Sequence, residues 1–148
     1  MTDSGILVVH LPECIPEDVV RAALAQMLRL AIEELAPLEV ATPATQVPYH
    51  YASHSRGFRT TIELYAGRAP EPAPRSDLQL AQYLARRFAQ DALISTDGNA
   101  SPYRWLLVRP DGTTIGVTEV PPDGDGDDQD DGIVIAERSA QDGFTDRR

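Results

Sequence analysis

Histidine is the commonest metal ligand and general base, so the pair His50 and His54 is the first place to look for chemistry in this chain. A spacing of four would put both imidazoles on one face of a helix, as in H-E-x-x-H zinc sites. The intervening residues are Tyr51, Ala52 and Ser53, with no Glu, and Pro48 and Gly57 bracket the stretch against a stable helix. A third ligand would have to come from His10 or from a distant carboxylate. The expectation is of surface histidines that hold no metal and no cofactor, with Tyr49, Tyr51 and His54 available as contacts for a partner.

Six aspartates, Asp123, Asp125, Asp127, Asp128, Asp130 and Asp131, invite comparison with a calcium loop. Starting at Asp127 places Gly132 at position six, as an EF-hand requires. Position twelve is then Arg138 instead of a bidentate Glu, and strands, not helices, are expected to flank the run. An EF-hand is rejected. Other chemistry fares no better. No G-x-S-x-G elbow is present, and Gly124-Asp125-Gly126 is set among acids that repel phosphate. Cys14 follows Glu13, whose charge opposes thiolate formation, and a single cysteine forms no intrachain disulfide. All 13 basic residues are Arg, so lysine Schiff bases and Walker-type phosphate loops are excluded. The residues do not compose an enzyme.

Charge is the feature that remains. The chain carries a formal charge of −10 over 148 residues, which disfavours nucleic acid and anionic lipid as partners. From Val117 to Arg148 ten acids face three arginines, so −7 of that charge sits in this segment, while 1–116 is nearly balanced. Concentrated acidity of this kind suits a recognition surface for a basic protein, with the six aspartates as its electrostatic half.

The elements that must position these residues follow from periodicity. Ile6–Leu11 is a short β-branched run closed by Pro12, and reads as a strand. A helix is expected over 16–36, with Pro16 at its start, Glu17 and Asp18 in its first turn, and an apolar stripe through Val20, Leu24, Leu28 and Leu35. Residues 37–57, punctuated by Pro37, Pro43 and Pro48, read as a long loop. Phe58–Ala66 alternates, with Phe58, Thr60, Ile62, Leu64 and Ala66 facing one way and Arg59, Thr61, Glu63 and Tyr65 the other. An extended connector then leads to Ser76, which caps a second helix over 76–90, with Gln79 completing a capping box and Leu80, Leu84 and Phe88 pointing inward. Ala92–Ser95 is a short strand. Tyr103–Arg109 and Thr113–Val120 form a hairpin across Pro110-Asp111-Gly112, and Gly132–Glu137 is a last strand.

The order β-α-β-α-β-β-β-β implies one α+β domain over 1–138, an antiparallel or mixed sheet with two helices on one face. An acidic loop at 121–131 and a flexible tail at 139–148 complete it. Met1–Gly5 carries Asp3 instead of a basic n-region, and the apolar run that follows is too short for a signal peptide or a membrane span. A cytoplasmic location is expected.

The stretch Asp77-Leu78-Gln79-Leu80-Ala81, Leu84-Ala85, Ala92-Leu93-Ile94-Ser95-Thr96-Asp97 and Pro102–Gly112 resembles small acidic bacterial immunity proteins of contact-dependent and polymorphic toxin systems. The resemblance covers about a quarter of the chain and carries no specific residues with it. It implies a non-enzymatic inhibitor that occludes a basic toxin domain. A small adaptor or secretion-chaperone-like protein is the alternative, followed by a small enzyme or ligand-binding domain using His50, His54 and Glu63.

Overall fold

The alternation of Ile6–Leu11 becomes strand β1 (Ile6–Leu11), with Leu7, Val9 and Leu11 buried and His10 turned to the opposite side. In this computed structural model residues 6–41, 47–67, 69, 73–95, 104–120 and 133–135 are described. The acidic run and the segment 139–148 therefore lie outside the described residues.

Helix α1 (Glu17–Leu28) carries Glu17 and Asp18 at its positive end and buries Val20, Ala23, Leu24 and Leu28. It stops well short of the expected Ala36. Arg29 adopts the left-handed conformation (φ 58°), and the Leu30 N–H donates back to the Ala25 carbonyl at 3.0 Å. The Arg21 guanidinium then donates to the carbonyls of Ile32 and Leu35, each at 2.9 Å, and holds the departing chain along the helix. Leu35 fits the helical stripe by spacing, yet it is buried in a different element, the short strand β2 (Leu35–Pro37).

The long loop expected over 37–57 is also corrected. Its second half is strand β3 (Val47–Ser53). Val47 and Tyr49 are buried while Pro48 and His50 are only partly so, which is a two-residue period interrupted in the sequence by a proline. Pro48 is opposite Ala36 in the short parallel pairing with β2 and precedes the longer β4 ladder, which begins at Tyr49, so its missing N–H takes no bond from that ladder. Strand β4 (Thr60–Tyr65) buries Thr60, Ile62 and Leu64, as its alternation requires.

Helix α2 (Asp77–Phe88) begins at Ser76, whose hydroxyl accepts from the Gln79 N–H at 3.2 Å. The Gln79 side chain accepts from the Arg75 N–H at 2.6 Å, one residue before the position a capping box uses. Leu80, Ala81, Leu84 and Ala85 are buried. Strands β5 (Ala92–Ser95), β6 (Arg104–Val108) and β7 (Thr114–Thr118) follow. The β6–β7 turn has the expected Pro110-Asp111-Gly112, with Gly112 at φ 93°, where a side chain would be strained. Asp111 accepts from the Thr113 N–H and hydroxyl at 2.9 and 2.7 Å, and these bonds hold its carboxyl below the usual range.

The seven strands form one mixed sheet in the order β2-β3-β4-β1-β5-β6-β7, with β2–β3 parallel and every other pair antiparallel. Its middle, β3-β4-β1-β5, is a split βαβ arrangement: α1 connects β1 to β3 across β4, and α2 connects β4 to β5 across β1. Both helices pack on one face, where Leu24, Leu28, Leu80 and Leu84 meet Val9, Leu11, Ile62 and Leu64. This is the expected single α+β architecture. Buried Thr60 fastens the β1–α1 connection to it, accepting from the Ile15 N–H at 3.0 Å and donating to the Glu13 carbonyl at 2.7 Å.

Among the described residues the opposite face carries no helix. Over β5, β6 and β7 it carries a smaller apolar cluster of Phe58, Leu93, Leu107 and Val117, against which Trp105, Ile133 and Ile135 pack. Phe58, expected on the Ile62 side, joins this cluster because the strand begins only at Thr60. Residues 133–135 cross this cluster as a strap. The Phe58 N–H donates to the Ile133 carbonyl at 2.8 Å, the Val120 N–H to the Val134 carbonyl at 2.7 Å, and Ile135 bridges to Glu119. Of the last strand expected over 132–137, this single bridge is what the described residues contain.

Candidate functional site: a histidine-lined cleft on the open face

Because side chains alternate across a strand, the residues between the buried ones share the helix-free face. On β1 this is His10; on β3 it is His50 and Ala52, with His54 just beyond; on β4 it is Thr61 and Glu63. Register places them side by side, with His10 opposite Thr61, His50 opposite Glu63 and Ala52 opposite Thr61. Together with Glu119 they line a cleft of about 390 Å³. Ala52 and Ile133 supply its apolar wall. All three histidines of the chain meet here.

One hydroxyl joins two of them. Thr61 Oγ1 lies 2.9 Å from His10 Nδ1 and 2.9 Å from His54 Nε2. A hydroxyl has one proton to give, so at least one of these two ring nitrogens must donate to it. A neutral ring that donates there keeps its other nitrogen as an acceptor. His10 also meets Trp105 edge to face, with centroids 5.5 Å apart. Burial, and secondarily the neighbouring His54 imidazole, pushes the His10 imidazole down to about 4, so it is neutral at pH 7.

The carboxylates are anchored from the side. Tyr65 donates its hydroxyl to Glu63 Oε1 at 3.2 Å, and Trp105 Nε1 donates to Glu119 Oε1 at 2.9 Å. Among the described residues no arginine lines the cleft. It therefore offers two negative charges and a group of hydrogen-bond acceptors. Among the described residues no group of three or more His, Cys, Asp or Glu is arranged to hold a metal ion.

Of the residues expected to contact a partner, His54 lies in this cleft, and Tyr49 and Tyr51 do not. Tyr49 is 1% exposed on the helix side of the sheet and donates its hydroxyl to Glu17 at 2.8 Å. Tyr51, on that same side and half-buried, donates to the Ile15 carbonyl at 2.6 Å. The expectation that they anchor an interface is corrected: because 47–53 is a strand, its tyrosines and histidines point to opposite faces. Asp123, Asp125, Asp127, Asp128, Asp130 and Asp131 fall outside the described residues. His50, His54 and Glu63 are brought together. Sequence reasoning missed Thr61 and Glu119, and weighed His10 only as a distant third ligand. Alternation in Phe58–Ala66 already assigned Thr61 to the face away from the core, whereas Ile6–Leu11, read as a buried apolar run, gave no face to His10.

Among the described residues no helix is long and apolar enough to cross a membrane. Fold and cleft together define an α+β protein with one helix-packed face and one open, acidic, histidine-bearing face. Compared with known proteins, the chain matches no family model, no curated sequence and no solved structure.

Proposed function

We propose that this protein is a non-enzymatic inhibitor of the immunity type, which binds a basic protein domain, such as a cognate toxin, in the cytoplasm and occludes its working surface. The observation that carries this reading is the sign and position of the open face. Among the described residues the cleft is lined by Glu63 and Glu119 and by no arginine. The sign agrees with the sequence, in which 117–148 carries ten acids against three arginines. An acidic protein of this kind steers a cationic partner toward itself. With Tyr49 and Tyr51 engaged in packing, the contact rests on this polar face.

The test is to recover the partner from the native host with the full chain as bait, purify it, and measure association by stopped flow at low and at high salt. Replacing Asp125, Asp127, Asp128 and Asp130 by Asn should slow association about tenfold or more at low salt and much less at high salt. A partner that is not basic, or a rate the four substitutions leave unchanged at low salt, would refute the proposal. A second reading, a small ligand-binding domain or acid–base enzyme, is favoured by the hydroxyl bridge between His10 and His54 beside Glu63.

A further inference from the structure

We propose that the cleft is a guanidinium pocket and that its occupant is an arginine side chain presented by the basic partner. The identity of that donor rests on the inhibitor reading above, whereas the pocket's chemistry stands on the cleft alone. The acceptors are spread over separate strands, with His50 on β3, Glu63 and Thr61 on β4, His10 on β1 and Glu119 beyond β7. A compact ammonium places its three donors around one point and gives up its water reluctantly. A guanidinium presents five donors in a plane, is more weakly hydrated, and can serve acceptors on several strands at once.

Carboxylates alone would describe any solvated acidic surface. Three further observations narrow the choice. Among the described residues the hydrogen bonds to Glu63 and Glu119 come from Tyr65 and Trp105 and fall on Oε1 in both, so each carboxylate is oriented while Oε2 keeps its capacity to accept. His10, the most enclosed ring, stays neutral at pH 7 and adds no repulsion toward a cation. The volume of about 390 Å³ lies in the range of roughly 300–1,000 Å³ typical of ligand pockets, ample for one side chain but small for a protein loop.

The test uses the intact protein and its three imidazole Cε1–H resonances, one per histidine, at pH 8 and constant ionic strength. The probes are N-acetyl-L-arginine methylamide, its lysine counterpart, free L-arginine and inorganic phosphate. The arginine amide should produce saturable shifts at His50 and His54, with affinity at least tenfold above that of the lysine amide. E63Q, and E63Q combined with E119Q, should each lower that affinity at least tenfold while leaving the thermal midpoint close to that of the parent. H50Q provides a second variant should the double substitution unfold, and it should weaken the arginine amide without changing the thermal midpoint. Equal affinity for both amides, shifts insensitive to E63Q, or saturation by phosphate would overturn the pocket. Free L-arginine binding at least tenfold more tightly than the capped amide would overturn the side-chain source, since the site would then read an amino acid's own termini. The partner capture described above is untouched by any of these results, so failure of the pocket and failure of the inhibitor reading are separable.

Discussion

Acid should weaken this fold through His10, and the size of the effect can be worked from its environment. Burial, and secondarily the neighbouring His54, pushes the imidazole from 6.5 down to about 4 in the folded protein. A base whose folded value is depressed favours the native state when neutral. Its contribution is fully present above the unfolded value and is lost as pH falls from 6.5 toward 4. At 1.36 kcal/mol per pH unit the complete loss is about 3 kcal/mol, of which about 2 kcal/mol falls between pH 7 and pH 5. Carboxylates titrate in part of the same window, so the measurement needs a reference. His10→Asn keeps a polar group near Nδ1 for Thr61 and cannot titrate. Urea unfolding of both proteins at pH 7, 6 and 5 cancels the acids they share and any constant packing offset against Trp105. The parent should lose about 2 kcal/mol more than His10→Asn over this range, equivalent to about 4–8 °C in thermal midpoint for a chain of this size. Parallel loss in the two proteins would refute the buried, neutral assignment.

Three further outcomes check the fold and the reassigned residues. Leu84→Ala removes a fully buried side chain from the α2 interface and should cost about 2–5 kcal/mol in urea unfolding. Thr60→Val keeps the shape but leaves the buried Ile15 N–H without its acceptor, and should cost about 1–3 kcal/mol in the same assay. Tyr49→Phe deletes only the hydroxyl given to Glu17, and should cost about 0.5–1.5 kcal/mol while leaving association with the captured partner unchanged, because Tyr49 lies on the helix side.

Where the apolar pattern is continuous, the elements are legible in the sequence. Ile6–Leu11, the alternation around Ile62 and the Ser76 cap each translate into the expected strand or helix because local propensity and burial agree. The hairpin is legible for a different reason: Gly112 must adopt a positive φ that other residues resist. Residues 29–53 resisted the reading. Leu35 fits the helical stripe of α1, but Arg29 turns left-handed and Arg21 captures the carbonyls of Ile32 and Leu35, which are tertiary choices with no local signature. Pro48 hid β3 because proline marks a loop in most contexts, and only the register, with the β4 ladder starting at Tyr49, shows why it is tolerated.

That one misread strand decided what could be seen of the site. With 47–53 taken as a loop, Tyr49 and Tyr51 became surface aromatics, and His50 and His54 a pair without a frame. Taken as a strand in register with β4, the same residues separate into two tyrosines that brace α1 and its approach and two histidines that face Glu63 and Thr61. A solvated sheet face accounts for exposed Arg59 and half-exposed Tyr65 by alternation alone. It does not account for His10, whose neighbours on β1 and β5 would be served as well by an apolar side chain that carries no acid penalty. Its polar atom reaches Thr61, and through Thr61 it orients His54 at the cleft. A half-buried imidazole that destabilises the fold in acid while fixing a second imidazole in an open cleft is a cost that the proposed guanidinium pocket explains and a surface left to water does not.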